Sequence, residues 1–241
     1  MSSPKQLHLD IKLDDSIHLS KFIFCDSTKF LITSLEDFIN DNPLSHFIYL
    51  WGNEGVGKNY LLRAVNQGHL EREKNTAFLT FSYSKKISPD MFMGLEKLHA
   101  VFLENVHLLP QSYEWEEAFF NLVEGCMKEN CKLFLTADRV AKLLKINLPD
   151  LKSRLLAFTA LEVPEIKEEE KASALKEAAL RRGIDLGSKE VRYILTHTSR
   201  SLSDLLRLLS DLDSFSLEKQ RKLTIVLIKE LLATRDNSPN T

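Results

Sequence analysis

The sequence predicts an α/β protein: a parallel sheet flanked by helices, followed by a small all-helical unit. Three observations carry that prediction. The apolar run Phe47-Ile48-Tyr49-Leu50 leads into the glycine-rich segment from Gly52 to Asn59 and then into Leu61-Leu62-Arg63-Ala64-Val65, which reads as strand, glycine loop, helix. Short, almost continuous apolar runs then alternate with amphipathic ones as far as Val163, the pattern of strands buried on both faces. After Pro164 the strand-like runs stop and only helical periodicity remains.

Each element has a local reason. Residues 1–20 read as a tail in which Leu7, Leu9, Ile11 and Leu13 alternate with His8, Asp10 and Lys12, a strand period. Phe22-Ile23-Phe24 is a short apolar knot. A helix is expected over 28–39, stopped by Asn40-Asp41-Asn42-Pro43. Strands are expected at 47–51, 76–81, 99–103, 132–136 and 160–163. The helices between them are expected from the glycine loop to about residue 66, over 89–95 as a short piece, and over 114–127. The last four fall over 167–182, closed by Gly183, and over 188–196, 202–215 and 224–232. This gives a tail (1–20), an α/β domain (21–163), a helical lid (164–235) and a polar end (236–241).

Composition excludes several classes. At 241 residues with 44% hydrophobic content the chain can bury a substantial core. The net charge of −2, with Lys and Arg matching Asp and Glu from Glu165 onward, does not favour wholesale binding to nucleic acid. No apolar run approaches the roughly 20 residues of a membrane span, and the first residues lack a signal-peptide core. Cys25, Cys126 and Cys131 lack metal-ligand spacing, and free thiols in a reducing cytoplasm are the expectation.

The candidate site begins at Gly52-Asn53-Glu54-Gly55-Val56-Gly57-Lys58-Asn59. This fits the phosphate-binding pattern G-x-x-x-x-G-K-[ST] in all but its last position. Glycines let backbone N–H groups turn toward phosphate oxygens, Lys58 adds a positive charge, and the following helix adds its N-terminal dipole. A Ser or Thr hydroxyl would normally hold magnesium, and Asn59 has none. A nucleotide hydrolase also needs a carboxylate at a neighbouring strand end, and Glu104, after Ala100-Val101-Phe102-Leu103, supplies one. The next residue is Asn105, whose amide is a very poor proton acceptor. At a third strand end, Thr136 and Asp138 lie where groups sensing a terminal phosphate would sit. Both also suit a helix N-cap.

Together with Leu148-Pro149-Asp150-Leu151-Lys152-Ser153-Arg154-Leu155 and a helical unit after it, this series resembles the AAA+ ATPases. Within them it is similar to the DnaA branch, and most narrowly to the Hda family of DnaA-related regulatory inactivators. The likeness covers nearly the whole chain. It is most specific in "LTADR", "LPDLKSRL", "ALRRG", "QRKLTIVLIKELL" and the opening "QLHLDIKL".

The resemblance implies roles residue by residue. Arg154, which alone would read as a surface arginine at a helix C-terminus, falls on the arginine-finger position that reaches a neighbour's ATP. Gln6, Leu7, Leu9 and Ile11 fall on a peptide that binds the sliding clamp (DNA polymerase III β subunit), with Asp10 in place of the usual proline. Phe22 and Ile23 fall near the nucleotide base. The sensor-2 arginine falls on Ser203, and Arg200 and Arg207 are the nearby substitutes. No counterpart of DnaA's C-terminal helix-turn-helix domain follows the lid, so little direct sequence-specific DNA binding is expected.

The implied function is a regulator loaded with ADP, with ATP as the other candidate and magnesium left open. It has no intrinsic ATPase of its own. With the DNA-loaded clamp it promotes hydrolysis of DnaA-bound ATP and so suppresses replication initiation in the bacterial cytoplasm. Contacts of the Arg154 type permit a homo-oligomer as readily as a pairing with DnaA. The alternative is an active AAA+ ATPase of helicase-loader type.

Overall fold

The computed structural model describes residues 17–22, 26–42, 46–82, 88–198 and 201–236. Within them β1 (Phe47–Trp51), β2 (Thr76–Thr80), β3 (Ala100–Glu104), β4 (Lys132–Ala137) and β5 (Thr159–Glu162) form one parallel sheet in the order β2-β3-β4-β1-β5. Every pair being parallel, both faces must be covered, and side-chain alternation divides the core accordingly. Ile48, Leu50, Ala100, Phe102 and Phe134 face a core shared with α1 (Lys29–Ile39) and α2 (Lys58–Leu70). Tyr49, Val101, Leu103, Leu133 and Leu135 face a second core under α3 (Tyr113–Glu129) and α4 (Pro149–Leu156).

The helical lid comprises α5 (Glu168–Leu180), α6 (Ser188–His197), α7 (Leu202–Lys219) and α8 (Ile225–Asp236). Leu175, Leu209, Leu212 and Ile228 are buried, in one cluster with Val56, Leu61 and Val163 of the sheet domain. The lid thus packs on the α2 side of the sheet. Ser201 caps α7: its hydroxyl accepts the Asp204 N–H and donates to the Asp204 carboxylate.

The expected α/β sheet with a helical lid is the fold found, with differences that have local causes. Helix α2 runs four residues past the expected end at 66 because its polar last turn is buried. Asn66 accepts from Thr76 Oγ1, and Gly68 sits against Ile39, where an added Cβ would come within 3.1 Å. The helix expected over 89–95 is two 3₁₀ turns, Pro89–Phe92 and Leu95–Lys97, separated at Gly94 with φ +83°. Helix α7 continues to Lys219, where Gln220 adopts the left-handed conformation that ends it.

Candidate functional site

Parallel register brings the C-terminal ends of β1, β3 and β4 to one edge, with Leu50 opposite Thr136 and Trp51 opposite Ala137. Helix α2 leaves that edge on one face of the sheet and α3 on the other, so a crevice opens between them. The glycine loop lies in it. At Gly52 the loop passes β5 so closely that a Cβ would come within 2.8 Å of the Val163 carbonyl oxygen. Gly55 and Gly57 have φ of +80° and +98°, and Gly57 leads straight into α2 without a side-chain cap. The first N–H groups of α2 therefore remain available to an anion.

Lys58 is buried, and its ammonium donates to the carbonyls of Gly52 at 2.7 Å and Asn53 at 2.6 Å. Burial holds its pKa below the usual lysine range, against the pull of Asp138 and Glu54. Asn53 in turn donates to Glu165 just beyond β5, which ties the loop to the segment leading into the lid.

A cavity of about 1140 Å³ opens beside the loop, toward the ends of β3 and β4 and toward α7. Lys58, Asn59, Asn105, Asp138, Arg139 and Arg207 are among its walls. The space exceeds the range of common small-molecule pockets, roughly 300–1,000 Å³, so volume does not exclude a nucleotide. A smaller cavity of about 290 Å³ shares Glu54 and Gly55 with the larger one and is walled by Val56, Pro164, Ile166 and Leu205.

The remaining expected residues occupy distinct places. Glu104 is buried but does not line the large cavity. Its carboxylate accepts from Thr80 Oγ1 at 2.7 Å and lies 3.8 Å from Arg63. Asn105 does line it, in a left-handed conformation (φ +63°), and its N–H donates to Thr136 Oγ1. Thr136 is thus buried and committed to the backbone of β3's end rather than to a helix N-cap. Asp138 is gripped by Arg139 through two 2.6 Å hydrogen bonds, which hold its carboxyl below the ordinary range, with help from His107. Tyr49, from below, donates its hydroxyl to the Arg139 carbonyl.

Phe22 is fully buried against Tyr60, with ring centres 5.9 Å apart, and Ile17 rather than Phe22 reaches the cavity wall. Tyr60, two residues past Lys58, is a junction. Its hydroxyl donates to the His18 carbonyl and faces Arg182 Nη2 at 3.4 Å, joining the N-terminal turn, α2 and the lid. Gln6, Leu7, Leu9, Ile11, Ile23 and Arg200 lie outside the described residues, as does the side chain of Ser203. Arg207, one turn further along α7, lines the cavity.

Arg154 is not among the residues lining either cavity. It projects from the last turn of α4, whose Leu151 and Leu155 face inward, and its side chain is 46% exposed. Its Nε lies 2.5 Å from Glu124 of α3. Sequence reasoning missed Ile17, His107, Glu116 and Glu124. A lone isoleucine in a polar stretch, or an acid within an amphipathic helix, carries no signal until its neighbours are known.

The two usual magnesium ligands are altered or engaged here. Asn59 offers an amide in place of the usual hydroxyl, and Glu104 is already bonded to Thr80 and faces Arg63. Among the described residues, Asp41, His69 and His99 group metal-ligating atoms at the opposite end of the sheet. There the Lys132 ammonium sits 2.6 Å from Asp41 and that of Lys74 3.8 Å away, so two positive charges already occupy the carboxylate's surroundings. No helix among the described residues is long and apolar enough to cross a membrane.

Comparison with known proteins agrees with this geometry. A profile described as "Hda, lid domain" matches residues 168–232. An uncharacterised protein of Haemophilus influenzae is 32% identical over 230 residues, spanning 95% of this chain and 98% of that protein. Domain III of the Thermotoga maritima replication initiation protein DnaA superposes with a TM-score of 0.68 at 12% identity, over 92% of this chain and 98% of that one. AMPPCP-bound DnaA from Aquifex aeolicus superposes with a TM-score of 0.65 at 17% identity, over 82% of this chain. The chain spans 66% of that DnaA structure's length. Full-length agreement with the Haemophilus protein, the lid match and the shared sheet-and-lid fold together show that the chain belongs to the Hda family of DnaA-related AAA+ proteins.

Proposed function

We propose that this protein is a nucleotide-loaded regulator that switches off the replication initiator DnaA. In this reading its own glycine loop holds an adenine nucleotide, ADP above all, and its Arg154 acts on ATP bound to DnaA. The separation of these two parts carries the reading. The loop keeps its lysine and its left-handed glycines, while Asn59 and Asn105 replace the groups that would hold metal and activate water. Arg154 stands half-exposed on a helix that borders neither cavity. A guanidinium placed there can serve a neighbouring molecule's phosphates more readily than its own.

Gly52 to Lys58 would hold the phosphates of the bound nucleotide through backbone N–H groups and the lysine ammonium. The nucleotide's part here is to set the angle between sheet and lid through Gly55, where an added Cβ would lie 2.9 Å from Ser201 Cβ, and through the contacts at Glu165 and Tyr60. Gln6, Leu7, Leu9 and Ile11 dock on the DNA-loaded sliding clamp, which concentrates the protein where DnaA is to be acted on. Arg154 then donates to the transferred phosphoryl group of DnaA's ATP and neutralises charge developing on its oxygens. In well-studied NTPases a trans-acting arginine raises hydrolysis by roughly 10³ to 10⁵. DnaA is left in its ADP form and re-initiation is suppressed. The compartment is the bacterial cytoplasm, and self-association through the same face is open to the fold.

The test is hydrolysis of ATP pre-loaded on purified DnaA, with and without this protein, in the presence of clamp loaded on DNA. Stimulation that requires both protein and clamp supports the proposal. Equal rates with and without the protein would exclude it.

A further inference from the structure

We infer that α3 is the positioning element for Arg154, acting through two carboxylates, Glu116 and Glu124, that grip α4 at its two ends. This rests on the finger reading of Arg154 and adds how the arginine is aimed.

Glu116 is a carboxylate with only 2% of the residue exposed, buried where an unpaired charge could not be tolerated. It accepts the Asn147 N–H at 2.9 and 3.1 Å, the Leu148 N–H at 2.6 Å, and the Asn147 side-chain amide at 3.3 Å. These donors immediately precede Pro149, the first residue of α4, and Leu148 has no side-chain acceptor with which to cap the helix. The cap is supplied instead by a neighbouring helix, a negative charge set at the positive end of α4's dipole.

Eight residues along α3, Glu124 Oε1 lies 2.5 Å from Arg154 Nε, an ion pair rather than an aligned hydrogen bond. At 1.5 Å per residue, Glu116 to Glu124 spans roughly 12 Å and Leu148 to Arg154 roughly 9 Å. The two helices therefore run side by side in the same sense, with Leu151 and Leu155 buried on α4's inner face. One carboxylate fixes where α4 starts, and the other orients the guanidinium. Misplacing a catalytic group by about an ångström can cost on the order of 100-fold in rate. A finger that must reach another molecule's phosphate needs such support from the helix behind it.

The test measures clamp-dependent hydrolysis of DnaA-bound ATP by the full chain as its concentration is varied. The variants are Glu116→Gln, Glu124→Gln, Arg154→Ala and the double variant Glu124→Gln/Arg154→Ala, each with its bound-nucleotide content measured. Expected is a fall of roughly 10- to 100-fold in the maximal stimulated rate for each Gln variant, with half-saturating concentration and nucleotide content unchanged. Glu124→Gln is expected to have no further effect once Arg154 is gone. Glu124 is 40% exposed, so its variant keeps the test valid should Glu116→Gln fold poorly. Loss of stimulation in Arg154→Ala with normal rates in both Gln variants overturns this inference and leaves the finger standing. A weakened half-saturation with an unchanged maximal rate also overturns it, since that is a binding or structural role. Unchanged stimulation in Arg154→Ala overturns the finger reading itself.

Discussion

His69 makes the stability of this fold depend on pH in a way that can be isolated by one substitution. The residue is fully buried in the last turn of α2. It lies edge-on to Phe38 at 5.5 Å, with Phe102 at 5.9 Å and His99 at 5.2 Å between ring centres. Neither ring nitrogen has a hydrogen-bond partner among the described residues. Burial, then the ammonium of Lys132 and His99 when protonated, with a smaller push from Arg72, lower its pKa to about 3, against the pull of Asp41. The folded state therefore binds the proton less readily than the unfolded one, whose histidine titrates near 6.5. Its stability contribution is complete above about pH 6.5 and falls as pH drops toward 3. Between about pH 7.5 and pH 5 the expected loss is about 2 kcal/mol, at roughly 1.4 kcal/mol per unit below 6.5.

His69→Phe keeps an aromatic ring in the cluster and cannot take the proton. Histidines distant from the cluster titrate in both proteins and cancel in the difference, and His99, 5.2 Å from the replaced ring, is followed by its own resonance. The melting temperature of the wild type should fall relative to the variant by roughly 4 to 8 °C over that pH change. Parallel pH dependence in the two proteins, or a His69 resonance titrating near neutrality, would show that His69 does not link folding to pH.

Further outcomes follow from the site. Tyr60→Phe removes hydroxyl contacts to His18 and Arg182, each worth about 1 kcal/mol. Amide exchange over residues 17–22 should accelerate and nucleotide affinity weaken, and unchanged exchange there would contradict the junction. Lys58→Ala should release bound nucleotide and also abolish stimulation of DnaA although Arg154 is intact. Full stimulation by the emptied protein would show that the nucleotide plays no part. Restoring the replaced groups with Asn59→Thr and Asn105→Asp should raise intrinsic ATP hydrolysis by roughly 10-fold or more. Asp tolerates the left-handed conformation at position 105, so the change should not cost the fold. Strong turnover by the wild-type protein alone would instead favour an active ATPase.

The sheet and lid were legible because buried parallel strands and amphipathic helices write their period into the chain, and the glycine loop announced the crevice. What escaped depended on partners distant in sequence. Residues 66–69 read as a polar end, yet Thr76, Ile39 and the Phe38–Phe102 cluster make them the buried last turn of α2. Glu104 was visible as an acid at a strand end, but nothing local reveals that its carboxylate accepts from Thr80 and faces Arg63. Phe22 is legible as an apolar residue, but its burial against Tyr60 and the place of Ile17 at the cavity wall emerge only in the folded chain. Glu116 is one acid among many on α3, and its grip on Asn147 and Leu148 exists only once the chain has folded back.

Arg154 is the group by which this protein is proposed to serve another molecule's ATP. This role is tested most directly by single-turnover hydrolysis of ATP on DnaA, with clamp-loaded DNA and either wild-type protein or Arg154→Ala, after both are shown to carry the same nucleotide. Stimulation should fall to the unassisted rate in Arg154→Ala while nucleotide content and clamp binding persist. Undiminished stimulation by Arg154→Ala would contradict it.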